Sequence, residues 1–452
     1  MKRRRSVVWL PLLLVASLML VQCAPATTPA VPVQSTNVPS QAETPQTAAT
    51  SAPSGQEVTT LRFTWFTDGP DEPAIRKQVA AFEAQNPDIR IEFTLVPYAD
   101  LNQLLEAQGT AGEAPDVVRV SEPPRFYKFA LDISPYLKDP KAFSSQYLEM
   151  PMKLISGSKG EIYGIPHDFT VNGPFVNLSL FEKAGISLPT EKCVSWETWA
   201  DLASRVRDAT GVPFAIAVDR SGHRLDGFVQ SYGGGFFTED GAIRIDTPET
   251  RRGLQSFVDL HTKGVIPLDV WVGSGGSYAG ANQYFVNGQL VFYISGNWQV
   301  AQFDKAIGDK FKWTSVYNGC YNGVYGGMPG GKFIMALKNN RNTPPEKVAR
   351  LISFLGGKES MTQYAQDALF LPTRNDLIAE GIKYPVQNEV MNVFLQGIPL
   401  LPKGSYADNY HPKYGPVANE VRDRITQVLA GEISFDKAIQ LADTRAKELI
   451  SQ

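Results

Sequence analysis

Three carboxylates, Glu122, Asp168 and Asp226, stand out as groups that one cleft could collect. Two carboxyl groups facing each other can cleave a glycosidic bond, one as acid and the other as base or nucleophile. The same groups can do simpler work, hydrogen-bonding hydroxyls in planar pairs while aromatic rings cover the apolar faces of a ligand. With 46 acidic residues in the chain many pairs could be drawn, so pairing alone does not select catalysis. Other chemistries find less support. No Gly-x-Ser-x-Gly nucleophile elbow is present. The four histidines lack metal-ligand spacing, so no metal site is expected. Gly326-Gly327 and Gly330-Gly331 are not followed by Lys-Ser/Thr in phosphate-loop spacing, and no cofactor is implied. Close backbone approach or simple turns explain these glycines better.

The elements that would position such groups begin with an α/β alternation. Leu61 to Phe66 reads as a strand, and Asp71-Glu72-Pro73 starts a helix with Ile75, Val79 and Phe82 on one face. Ile89 to Val96 alternates as a second strand, a helix carries Leu101, Leu104 and Leu105, and Ala114 to Val120 is a short buried strand. That order predicts parallel βαβ units. Ligands bind at the carboxyl ends of such strands, which makes Trp65, Asp68 and Glu122 candidates. Further on, Lys159 to Asn177 reads as two strand segments joined by a bend at Asn172-Gly173, with Pro166 and Pro174 fixing φ on either side. This is either a hinge strand passing between two domains or a β-bulge inside one. Trp196, Trp199, Leu202 and Val206 form a helical core stripe behind the N-cap Ser195. His261 reads as a helix-surface residue. The loop from Trp271 to Tyr278 sets two aromatics among small residues.

The chain has 452 residues, too many for one ordinary core, so two domains are expected. An apolar content of 43% and a charged content of 20% are those of a soluble globular protein. The net charge of −3 offers no basic surface for nucleic acid. Residues 1–22 read as a secretory signal peptide: Lys2 to Arg5 is the positive region, and Val7 to Val21 is an apolar run too short to span a bilayer. Residues 23–57, poor in apolar and charged groups, read as a disordered tether. Only Cys193 and Cys320 remain beyond Cys23. Export favours their oxidation, but nothing in the sequence brings them together, and the expectation leans to two thiols.

The segment Gly160 to Pro166, the helix start Leu180 to Gly185, and Phe285, Gly288, Val291, Gly296 and Trp298 in one pattern together resemble the extracellular solute-binding proteins of ABC importers. The sugar-binding cluster is the nearest part of that family, and the resemblance runs from about Leu61 to Ile450. It implies a two-lobe periplasmic-binding-protein-like fold of type II, each lobe a mainly parallel sheet flanked by helices. Residues 58–172 and 320–360 would form lobe one, and residues 173–319 and 361–452 lobe two, with the hinge at Asn172 and Gly173. It adds His223, Arg224 and Asp226 at a helix start, and Asn297 and Trp298 after a strand, as ligand contacts. Trp298 would wall the cleft from lobe two, and Trp65 and Glu122 from lobe one. Leu20 to Cys23 resembles a lipobox, although Gln22 departs from its small residue, so Cys23 would carry lipid at the outer face of the cell membrane or in the periplasm; plain secretion is the alternative. The implied activity is capture of a sugar or oligosaccharide by a monomer and delivery to an ABC permease. An extracellular carbohydrate-active hydrolase, or capture of a peptide, polyamine or metal, stays open.

Overall fold

Alternation of apolar residues builds the first sheet strands as the sequence predicts. The computed structural model describes residues 58–67, 71–273 and 279–451; Cys23, the leader, the tether, Asp68 and Tyr278 lie outside the described residues. β1 (Thr59–Trp65) pairs in parallel with β2 (Ile89–Leu95), from Thr59 opposite Ile89 to Trp65 opposite Leu95, and with β3 (Val117–Val120) on its other side. The helix Glu72–Gln85, with proline in its first turn, covers this sheet through Ile75, Val79 and Phe82.

β4 (Gly164–Asn177) is the spine of the molecule, and all 14 of its residues are buried. β5 (Phe214–Val218) and β6 (Leu290–Gly296) are parallel, and β7 (Trp313–Ser315) is a short strand beside β4. β8 (Cys320–Tyr321) and β9 (Val324–Tyr325) form a small hairpin before β10 (Pro329–Ala336). The sheet order is β2-β1-β3-β10-β4-β6-β5. β10 runs antiparallel to both β3 and β4, and β4 antiparallel to β6 and β7. The sheet is therefore mixed rather than mainly parallel in each lobe. The βαβ units are parallel as expected, but the two strands that pass between the lobes enter against them.

β4 is not broken at Asn172-Gly173. It exchanges partners there, pairing with β10 up to Val171 and with β6 from Asn172. Pro174 is tolerated inside the strand because its carbonyl accepts Val316 N–H at 3.2 Å. Its nitrogen therefore faces the same edge, in the gap where β10 has ended and β7 has not begun. Gly173 lies against Phe394, where a Cβ would come within 2.4 Å of the ring.

The chain after β10 returns to lobe one for longer than the boundary at residue 360 allows. That position falls inside the helix Lys358–Ala368, which packs on Glu72–Gln85, with Lys77 and Asp367 paired at 2.8 Å. Thr373 Oγ1 donates to Pro166 O at 2.6 Å. The helix Asn388–Gly397 then packs on β7 and β4, and Ser315 Oγ donates to Val390 O at 2.8 Å. The crossing back to lobe two thus lies between about Tyr384 and Asn388.

Two further expectations are corrected. Cys193 and Cys320 form a disulfide, with Cα atoms 5.0 Å apart, which fastens the β8–β9 hairpin to the loop before the helix Trp196–Thr210. Tertiary contact brings them together across 127 residues, a proximity no local pattern carries. His261 is buried, its Nδ1 2.9 Å from Phe257 O and its ring beside Trp271.

Candidate binding cleft

A cleft of about 1100 Å³ opens between the two lobes, with β4 and β10 as its floor. Thr170, Gly330, Gly331 and Lys332 line the floor. Gly331 has φ +136° and lies so close to β4 that a Cβ would meet Asp168 O at 2.2 Å, so the two strands approach only with glycine there.

The lobe-one wall comes from the ends of β3 and of the helix Tyr98–Ala111. Tyr98 is 52% exposed, its ring tilted on Phe66 and its hydroxyl 3.1 Å from Ser121 Oγ. Glu122 is exposed on the same wall, as the strand-end rule predicts. Arg125 Nε lies 3.4 Å and Lys128 Nζ 2.7 Å from Glu106. Hydrogen bonding from Lys128 holds the Glu106 carboxyl below the usual range.

The lobe-two wall has two sources. The helix Gly222–Gln230 brings His223 and Arg224, and β6 delivers Trp298 just past its end. Only glycine at 222 lets that helix meet Ala418 O, which a Cβ would approach to 2.4 Å. Gly296 likewise gives way to the Trp298 ring, where a Cβ would fall 2.1 Å from it. The Arg224 guanidinium lies 4.7 Å from the Trp298 ring centroid and 3.4 Å from Asp219. His223 Nε2 donates to Pro329 O at 3.1 Å; burial, then Arg224, lowers its pKa to about 4, so it is neutral. The second source is the run from Asn409 to Pro416, which adds Tyr410, His411 and Tyr414. His411 stacks on Phe237 at 3.8 Å and accepts Lys413 N–H on Nδ1, leaving its other nitrogen as a donor.

Five predicted site residues do not line the cleft, and the reasons are physical. Trp65 is fully buried in lobe one against Phe63, His167 and Tyr364. Asp168 is buried in an ion cluster: Arg119, itself fully buried, reaches Asp71 at 2.5 Å and Asp168 at 2.8 Å under the rings of Trp65 and Phe66. Burial alone would raise the Asp168 pKa, but the Arg119 charge, with smaller contributions from His167 and Lys332, outweighs it and holds the carboxyl ionised. Asp226 is fully buried behind the lobe-two wall. Trp271 is core, its indole donating to Val218 O at 2.8 Å. Asn297 is buried, and its Oδ1 accepts Val171 N–H at 2.8 Å, fastening lobe two to the crossing strand. Glu122, His223 and Trp298 are brought together as lining residues, while Tyr98, Arg125, Lys332, Tyr410 and Tyr414 were missed. The aromatic and proline-rich run Tyr410-His-Pro-Lys-Tyr414-Gly-Pro416, where the helix Lys403–Tyr410 ends and the helix Tyr414–Leu429 begins, was the available signal.

Rings and mixed charges drawn from both lobes suit a ligand with apolar faces and polar edges. Among the described residues no cluster of His, Cys, Asp and Glu could hold a metal ion.

Residues 67–362 match the family of bacterial extracellular solute-binding proteins. A putative binding protein of Brucella abortus is 22% identical over 420 residues, 89% of this chain and 95% of its own. The lactose-binding protein of Rhizobium radiobacter is 25% identical over 187 residues, 40% of this chain and 44% of its own. Among solved structures, an ABC substrate-binding protein from Listeria monocytogenes in complex with cycloalternan superposes with a TM-score of 0.71 at 20% identity, over 87% of this chain and 100% of that one.

Proposed function

The chain belongs to the bacterial extracellular solute-binding protein family, and from that premise we propose that its solute is a saccharide of more than one ring, captured between the lobes and handed to an ABC permease. The observation that carries this is the composition of the cleft. Tyr98 from one lobe and Trp298, Tyr410 and Tyr414 from the other bring aromatic rings to the lining, and Glu122, Arg125, Arg224, Lys332 and Asn409 bring polar groups for hydroxyls. Lactose and cycloalternan in the names of similar proteins support the same class. Lobe one comprises about residues 58–171 and 329–384, and lobe two about 172–328 and 385–451, with closure pivoting where β4 changes partners at Asn172-Gly173. Contacts to both walls form only when the lobes close, and this difference lets a ligand shift the open–closed balance. The exported protein is a monomer held to the membrane by lipid on Cys23. Replacing Cys23→Ser then releases it from membranes of a host that processes lipoproteins; an unchanged membrane fraction rejects the anchor.

The test of the solute class is a thermal-shift and calorimetric panel of lactose, maltotriose and cycloalternan beside peptides and polyamines. A ligand at 100 times its dissociation constant stabilises by about 2.7 kcal/mol. Stabilisation by peptides or polyamines with none by saccharides overturns the proposal. Chromatography of the same saccharide mixtures after incubation checks for hydrolysis.

A further inference from the structure

Behind the lobe-two wall, Asp226 and Asp408 are both fully buried, and both receive the same amide. Gln230 Nε2 donates to Asp226 Oδ1 at 3.2 Å and to Asp408 Oδ2 at 2.8 Å. Asp408 also accepts Phe236 N–H and Phe237 N–H, each at 2.7 Å. Gly235, at φ +154°, makes room for it: a Cβ there would come within 2.8 Å of Asp408 Oδ2. Amide donors thus serve Asp408 three times and Asp226 once. This arrangement fits one anion and one neutral acid, because a second buried charge without its own amide donors is strongly disfavoured.

The pair joins the two sources of the wall. Asp226 lies on the helix that presents His223 and Arg224, and Asp408 immediately precedes the run 409–416. Resting on the reading of this cleft as the ligand site, we propose that Asp226 is a positioning residue that works as the neutral acid. With its proton in place, the helix Gly222–Gln230 and the run 409–416 hold together as one wall; when the proton leaves, the wall loosens and ligand affinity falls.

The surroundings agree. Burial, then the Asp408 charge, pushes the Asp226 pKa well above the carboxylate range. Asp408 rises to about 6, as burial outweighs its two backbone donors. The other ionisable groups acting on the pair are Tyr414 from the helix Tyr414–Leu429, Arg224 from Asp226's own helix, and Arg244. Arg224 is engaged with Trp298 and Asp219, and Arg244 donates to Gly233 O. The helix Pro248–Thr262 meets these segments through Gly253 against Val229 and Thr250 against Gly235. Asn172 and Gly327 face Gly227. His223 and His411 have lowered pKa values and stay neutral above pH 7, and Tyr414 keeps its proton through burial.

Infrared difference spectra of the whole mature protein against Asp226→Asn test the protonation directly. A protonated-carboxyl band present at neutral pH, lost on alkaline titration and missing in the variant is expected; its absence at neutral pH overturns the proposal. Amide exchange, corrected for its intrinsic rate, should show residues 222–230 and 409–416 losing protection as that band disappears in the wild type but not in Asp226→Asn. A merely structural role would lower protection in the variant at every pH alike. Should Asp226→Asn fail to fold, Asp408→Asn replaces it: loss of the neighbouring charge must move the band's disappearance to lower pH. Calorimetry with lactose, maltotriose and cycloalternan completes the test, with affinity falling by up to about tenfold per pH unit above the titration, the limit for one linked proton. If no saccharide binds at any pH, the saccharide reading fails, while infrared and exchange still decide the wall. Pure pH-independence of a bound saccharide's affinity overturns the link to binding.

Discussion

Asp168 in lobe one and Asp226 in lobe two are both acids removed from water, yet their surroundings settle their charge in opposite ways. Asp168 and Asp71 flank the guanidinium of Arg119, so the charge stays and is matched by a cation. Asp226 and Asp408 share an amide and two backbone N–H groups, which suffice for one anion. Burial alone therefore does not say whether a carboxyl is ionised; the identity of the nearest donor does.

The largest way to break the comparison is Arg119→Met. It removes the guanidinium that both buried carboxylates contact and should cost about 3–5 kcal/mol in urea unfolding. A midpoint close to wild type would show that the cluster is not held by charge.

The pH dependence should split next. Asp168 has a folded pKa below the unfolded value of about 3.9, so its contribution is complete above that value and is lost as pH falls toward the folded one. Asp226 and Asp408 have raised values. Their contribution is complete below about 3.9 and is lost as pH rises through the folded values, that of Asp408 being about 6. Site-resolved exchange should therefore show lobe one weakening in acid and lobe two weakening toward alkali. Parallel profiles in the two lobes would erase the distinction.

A third prediction carries the comparison to the walls. Trp298→Ala should cost about 2 kcal/mol of saccharide affinity, roughly 30-fold, with a smaller effect on melting. Tyr98→Ala, at an exposed rim, should cost less than about 1 kcal/mol. Equal losses by calorimetry would mean that both rings are anchors. Smallest of all, Asp226→Asn should change stability at neutral pH by less than about 1 kcal/mol, because the amide replaces an already neutral acid. A loss as large as that of Arg119→Met would show that Asp226 is ionised.

Much of this molecule was legible in its sequence because the signals were local. The parallel pairing of β1, β2 and β3 follows from alternating residues and intervening helices. Trp298 came from the family resemblance, and Glu122 from the rule that places ligands just beyond a strand; both line the cleft. The same rule failed for Trp65, since position along a strand does not say which face a side chain takes, and Trp65 points into the core. Asn297 failed for a related reason: it precedes Trp298 by one residue and turns inward to Val171. The contribution of Tyr410 and Tyr414 was hidden because it depends on the C-terminal segment returning to a cleft whose other wall, with Tyr98 and Glu122, lies far earlier in the chain.

One feature of the spine sets the mechanics of closure. At the partner exchange of β4, Asn172 N–H donates to Met328 O at 3.1 Å, and Val171 pairs with Pro329. The two strands that pass between the lobes are thus stitched to each other, and the disulfide anchors the approach to the second of them. Two independent swivels would let the lobes slide as well as turn. A laced ribbon resists sliding, because shear would tear its ladder, but yields to torsion. With the third crossing before the helix Asn388–Gly397 beside it, the ribbon gives closure the character of a torsion bar, and the depth to which the jaws meet is set by how far the ribbon can twist before its stitches lengthen.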